Sequence, residues 1–178
     1  IALEAIRLHA CNLNVGECHP VIAGNSFDQT LAPVLHAAPL NPILSGNHAT
    51  SNATNGYVFQ ILCAVQGNNT WYANDLPYVI PAGGNWCDIS SSFPTTITIQ
   101  PGTVVKLANT LAFHQRAVVT ATGSADTPII FTSLKDDSFG GDTNNDGDAS
   151  SPAPRDWGMV GHFGSHVLGT YEHVVFRY

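Results

Sequence analysis

Positive charge is scarce in this chain, with six Lys and Arg set against 13 Asp and Glu in 178 residues, for a formal net charge of -7. The six are scattered at Arg7, Lys106, Arg116, Lys135, Arg155 and Arg177. No basic patch is available to displace counterions from a polyphosphate, which argues against nucleic acid as a partner. Long apolar runs are missing as well, and none approaches the roughly twenty residues of a membrane-spanning helix. The opening IALEAIRLHACN has neither an initiator Met nor the basic, apolar and small-residue layout of a signal peptide, so it reads as a mature chain or a fragment. The four cysteines, Cys11, Cys18, Cys63 and Cys87, contain no CxxC pair, which a cytosolic zinc site would normally supply. Charged residues of both signs make up only 11%, too few to coat surface helices with Lys and Glu.

What is present points to strands. The chain is 44% hydrophobic, sufficient for one domain with a core, and it carries 16 Gly and 11 Pro among many Thr, Ser and Asn. The expected class is all-β. Disulfides are the preferred reading of the cysteines in an exported chain. Three pairings are open, of which Cys11 with Cys18 and Cys63 with Cys87 close the shortest loops; buried free thiols are the alternative. Two glycosylation sequons begin at Asn52 and Asn68, a pattern common in any chain rich in Asn and Thr.

Residues 1–56 read as irregular, with Pro20, Pro33, Pro39 and Pro42 interrupting short apolar pieces and excluding a long helix. The first ten residues fit a short helix or, by preference, a strand in which Ile1 and Leu3, then Ile6 and Leu8, alternate. YVFQILCAV from Tyr57 reads as a buried strand that ends at the turn GNN. Beyond Trp71 come short β segments at ITIQ, TVVKL, AVVTAT, PIIFTS, WGMVGHF and HVVFRY, each closed by Pro, Gly, Asn or Asp. Such spacing suits either a sandwich or a stack of repeating coils.

The motifs DLPYVI, TITIQPGTVVKL, GSADTPIIFTS, DDSFGGDTNNDGD and PAPRDWGMV, in that order from Trp71 to Tyr178, resemble the right-handed parallel β-helix proteins of bacterial surfaces, which share the pectate-lyase-like fold. The resemblance implies that PGTVVK and PIIFTS belong to successive coils and that the acidic loop is inserted between coils. It divides the chain into an N-terminal region, 1–70, that caps the helix or exchanges a strand, and a β-helix, 71–178, with an acidic loop at 136–156. On that reading Ile97, Ile99, Ile129, Phe131, Val174 and Phe176 point inward, and residues 95–178 hold about three coils.

The acidic loop concentrates six of the Asp residues, and its centre reads Asp142-x-Asn144-x-Asp146-Gly147-Asp148. Oxygen donors at alternate positions followed by a glycine turn are the chemistry of a calcium loop. Asp142, Asn144 and Asp146 supply side-chain oxygens and Asp148 a carbonyl, while Ala153 stands where a bidentate Glu would complete the shell. Asp136, Asp137 and Asp156 are therefore the candidates from the flanks, and calcium is the expected cofactor.

The eight histidines form no metal set; His162 and His166 share strand parity with Gly164 between them. Ser165, His166 and Asp156 make a triad on paper only, with no GxSxG elbow. The family's lyases abstract a proton next to a calcium-bound uronate with a Lys or Arg. Here only Lys135 and Arg155 flank the loop, where they balance its charge. No catalytic residue is expected.

The expected function is an extracellular or cell-surface structural protein, a subunit of a filament, sheath or adhesive assembly of copies joined end to end. Cell-surface glycans are a further candidate partner. The alternatives are a secreted carbohydrate-binding or polysaccharide lyase module and a fragment of a larger adhesin.

Overall fold

The structure is a computed structural model that describes residues 5–8, 19–36, 41–59, 67–83, 87–89 and 94–178. The fold is all-β, with no helix among the described residues and every strand pairing parallel. In chain order the strands are β1 (Ile6–Leu8), β2 (Val21–Ala23), β3 (Ser26–Asp28), β4 (Val34–His36), β5 (Ile43–Ser45) and β6 (His48–Thr50). Then come β7 (Tyr57–Phe59), β8 (Gly67–Trp71), β9 (Tyr78–Ile80), β10 (Cys87–Ile89), β11 (Thr95–Ile99) and β12 (Val104–Leu107). The last are β13 (Leu111–His114), β14 (Ala117–Thr122), β15 (Ile129–Ser133), β16 (Val160–Phe163), β17 (Leu168–Glu172) and β18 (Val174–Phe176).

One sheet of seven strands runs in the order β1-β4-β7-β9-β12-β15-β18. Between visits to it the chain adds to smaller sheets ordered β2-β5, β3-β6, β10-β13-β16 and β17-β14-β11-β8. The chain thus cycles through its sheets, laying each strand beside the one from the previous cycle. No break in pairing falls near residue 70, because β7 and β9 pair directly through Tyr57 with Tyr78 and Val58 with Val79.

The N-terminal residues that composition marks as irregular hold regular strands. Each strand there has three residues, shorter than hydrophobic periodicity can register. The prolines among them stand at strand entrances: Pro20, Pro33 and Pro42 immediately precede β2, β4 and β5, as Pro77, Pro94 and Pro128 precede β9, β11 and β15. A proline placed there withholds no ladder donor, and its carbonyl can still accept. Ile43 donates to Pro20, Ile6 to Pro33 and Tyr57 to Pro77.

The GNN of residues 67–69, read from the sequence as a turn after YVFQILCAV, belongs to strand β8. Its first residue, Gly67, adopts φ 70, matching Gly24 at φ 66 and Gly46 at φ 58 just before β3 and β6. The left-handed residue is Gly67, and the asparagines continue as strand.

Side chains facing the interior alternate along each strand and align between cycles. Val34, Tyr57, Tyr78, Val105 and Phe131 form one inward row, and all five are buried. Around its middle, Trp71 stacks on Tyr78 at 5.2 Å and Phe59 lies 5.1 Å from Trp71. Ile97, Ile99 and Ile129 are buried as expected, whereas Val174 is half-buried and Phe176 is 48% exposed. Phe176 stacks on Phe131 at 5.1 Å, and no strand pairs with the far side of β18 among the described residues.

Buried asparagines tie early cycles together. Asn47 donates to the Ile22 carbonyl and accepts from Asn25, 22 residues away. Asn52 accepts from Thr30, again 22 residues away, and donates to the Phe27 carbonyl. The sequon at Asn52 is thus an interior hydrogen-bonding residue, while Asn68 is exposed on β8.

Candidate metal centre in the acidic loop

The outward row of the seven-stranded sheet reads Val58, Val79, Lys106 and Thr132 in register. All four are buried: the acidic loop folds back from the end of β15 onto Lys106 and Thr132, and Val58 and Val79 pack with Ala32 and Leu134. Lys106 has neighbours Val105 and Leu107 turned into the core, so its own side chain points away from the core, yet it is 0% exposed. Its ammonium donates to the Gly141 carbonyl, and Gly140 passes so close that an added Cβ would lie 3.5 Å from Lys106 Cε and 3.2 Å from Pro77 Cβ. Positive φ angles of 71 and 70 at Gly140 and Gly141 let the loop make this close pass.

The loop is fastened at several cycles of the sheet. Asn55, just before β7, donates its backbone N–H to the Thr143 carbonyl at 2.7 Å and its side-chain amide to the Asp142 carbonyl at 2.9 Å. Asp136 is buried and accepts from Thr132 on β15 and from Ser138. Arg177, after β18, lies 3.9 Å from Asp136 and places its guanidinium 5.2 Å from the Phe139 ring centroid. Asp156 closes the loop, accepting from Lys135 Nζ at 2.8 Å, Ser133 Oγ at 2.7 Å and the Ala153 N–H at 2.9 Å.

Of the seven residues that the sequence offers to a cation, the fold brings three together. One carboxylate oxygen from each of Asp137, Asp142 and Asp146 lies within 4.8 Å of the other two. Asn144 joins the cluster by donating to Asp146 at 2.7 Å, and Asp148 is exposed close by. Asp136 and Asp156 are spent on the fastenings just described. Asp142 also caps the turn, accepting from the N–H groups of Asp146 and Gly147 at 3.0 and 2.9 Å. Three oxygens are buried with no hydrogen-bond partner: Asp137 Oδ1, Asn144 Oδ1 and Asp146 Oδ1. Buried, partnerless oxygens within a set of carboxylates suit a hard cation that takes oxygen ligands.

The electrostatics follow from this crowding. Burial raises the Asp137 carboxyl above its usual value, Lys106 opposes that, and Asp142, Asp146 and Asp148 reinforce it. Burial draws the Lys106 ammonium down to about 8, against the pull of Asp137, Asp136 and Asp142. For Asp136 burial acts upward, but hydrogen bonds from Ser138 and Thr132 and the charge of Arg177 outweigh it and hold the group below 3.8. For Asp156 burial likewise acts upward and is outweighed by Lys135, Ala153 and Ser133.

A carboxyl depressed by folding stabilises the folded state fully above its unfolded value and loses that contribution as pH falls through its folded value. Asp136 and Asp156 should therefore release the loop only below about pH 4. Proton NMR of the Asn55 amide across an acid titration checks this: the signal should hold its position down to that range and then shift.

Other sequence candidates fall elsewhere. Cys11, Cys18 and Cys63 lie outside the described residues, and Cys87 lies in β10, whose backbone pairs with Leu111. His162 Nε2 lies 2.7 Å from the Tyr171 hydroxyl rather than with His166. Lys106 was legible only as one of the scattered basic residues. The signal that marks it is a lysine between two inward positions of an apolar strand, which needs a covering partner.

Compared with protein-family models, with curated proteins and with solved structures, the chain matches none.

Proposed function

We propose that the chain is an extracellular structural protein in which the cycling strands close into a short right-handed parallel β-helix, copies of which join end to end in a surface filament, sheath or adhesive assembly. The observation that carries this reading is that, among the described residues, β1 and β18 are the two end strands of the seven-stranded sheet, and β16 and β17 are end strands of the three- and four-stranded sheets. The β16–β18 side exposes Leu168 at 64%, Met159 at 49% and Phe176 at 48%. Parallel pairing is directional, so one copy's β1 can continue the seven-stranded ladder of another beyond β18. A head-to-tail contact of this kind gives an open filament when it does not close. Cysteines without a CxxC pair and a low content of charge support the extracellular setting.

Two observations favour this reading over a polysaccharide lyase or glycan-binding module. The basic residue nearest the clustered carboxylates, Lys106, is sealed under the loop and has no access to a polymer. The outward positions of β8, β11, β14 and β17, such as Thr70, Thr98, Thr120 and Thr170, present no aromatic ring on which a sugar could stack. Light scattering over a concentration series, followed by electron microscopy, tests the assembly. End-to-end particles that grow with concentration are expected, and monomers throughout would refute it.

Calcium is the proposed cofactor of the loop, held by Asp137, Asp142 and Asp146 with Asn144 beside them. Its role is to neutralise like charges that the fold forces together and so to stiffen one wall of the stack. After chelator treatment, adding calcium to about 100 times its dissociation constant should stabilise the fold by about 2.7 kcal/mol, a rise of roughly 5 to 10 °C in a chain of this size. Asp146→Ala should abolish the rise, and a wild-type melting temperature indifferent to millimolar calcium would rule the ion out.

A further inference from the structure

We propose that Lys106 is the internal cation of a latch, and that its ammonium seats the 136–156 loop across β7, β12, β15 and β18 without any bound ion. A lysine wholly removed from water is costly unless its charge is compensated. This one is compensated by the Gly141 carbonyl and by Asp136, Asp137 and Asp142 around it. Every one of those partners belongs to the loop, and none belongs to the sheet that carries Lys106. The amine can be satisfied while dry only if the loop is closed. Conversely the loop brings its carboxylates onto an outward row that is otherwise Val58, Val79 and Thr132.

The latch couples distant parts of the chain. Asn55 holds Thr143 before β7, and Arg177 reaches Asp136 and Phe139 after β18, with Lys106 between them. Losing the middle fastening frees both outer ones, because loop carbonyls and carboxylates are the shared partners. The latch therefore acts as a conformational strap that fastens the 136–156 loop over the seven-stranded sheet from β7 to β18 and opens as a unit.

The inference is independent of the calcium reading, although it concerns the same loop, and the test separates them. Amide hydrogen exchange is measured on the intact protein in chelator, for wild type and for Lys106→Met, with the Asn55 amide and residues 138–148 as reporters of the latch. Amides of β13 and β14 report the fold. The expected result is protected reporters in wild type and exchange at least 10-fold faster in the variant, with β13 and β14 unchanged. Should Lys106→Met disturb β13 and β14 as well, Lys106→Gln decides, because it keeps a donor but lacks the charge, and it should open the latch to a similar extent. Unchanged reporters in a folded variant, or reporters already unprotected in ion-free wild type, would overturn the proposal. If wild type is protected in chelator and calcium then changes nothing, the calcium reading fails and the latch stands.

Discussion

Replacing Phe131 by alanine is expected to destabilise the protein by about 3 to 5 kcal/mol, while the same change at Phe176 should cost about half as much. The two residues are partners in register and stack at 5.1 Å, so the contact they share is lost in either variant. What differs is the rest of their surroundings. Phe131 is 0% exposed and has Val105 on its other side, whereas Phe176 is 48% exposed with no strand beyond it. Deleting the Phe131 ring opens a cavity bounded by neighbouring strands on both sides, and the parallel ladders hold its walls apart. Deleting the Phe176 ring removes a group that water already reaches on one face. Equilibrium urea unfolding of both variants at equal protein concentration measures the difference. Equal losses would mean that Phe176 is as well covered as Phe131 in solution, which is the outcome if copies stack over β18, and the gap should then widen on dilution. The Phe131 and Phe176 pair therefore reports on both packing and assembly.

Much of the C-terminal half was legible because strands β11 to β17 are four to six residues long and alternate between inward and outward positions, as in Thr95–Ile99 and Ala117–Thr122. The crowding of carboxylates in the acidic loop was legible, since Asp142 and Asp146 lie together in the fold. Two things were hidden. Three-residue strands carry too few side chains to display a period, so β2 to β6 could be found only through what bounds them, a proline before the strand or a Gly-Asn corner at Gly24 and Gly46. The other is long-range pairing. Nothing local says that Lys106 meets a loop 35 residues later, or that Asp136 and Asp156 are consumed by Arg177 and Lys135 while Asp137 joins the cluster. Sorting equal carboxylates into fasteners and members of the cluster needs the fold.

Asn52→Asp is expected to be among the most damaging single-atom changes available, costing more than Asn52→Ala and about 3 to 5 kcal/mol. Asn52 is 0% exposed and uses both ends of its amide. Its oxygen accepts from the Thr30 N–H at 2.8 Å and the Thr30 hydroxyl at 2.7 Å, and its nitrogen donates to the Phe27 carbonyl at 3.1 Å and to Asn55 Oδ1 at 3.0 Å. Alanine leaves these partners without a bond, at about 1 to 3 kcal/mol for each buried group that water cannot reach. Aspartate keeps the acceptor side but turns a second oxygen toward the Phe27 carbonyl and Asn55 Oδ1, both acceptors, so two attractive contacts become repulsive and a charge is buried with no cation beside it. The damage should spread, because Asn55 also holds the Asp142 and Thr143 carbonyls of the acidic loop. Thermal melts of both variants at neutral pH and near pH 4 separate the causes. The aspartate variant should recover part of its loss at the lower pH, where the buried carboxyl takes up a proton and can donate once more, and the alanine variant should not. A recovery equal in both would trace the effect to another group.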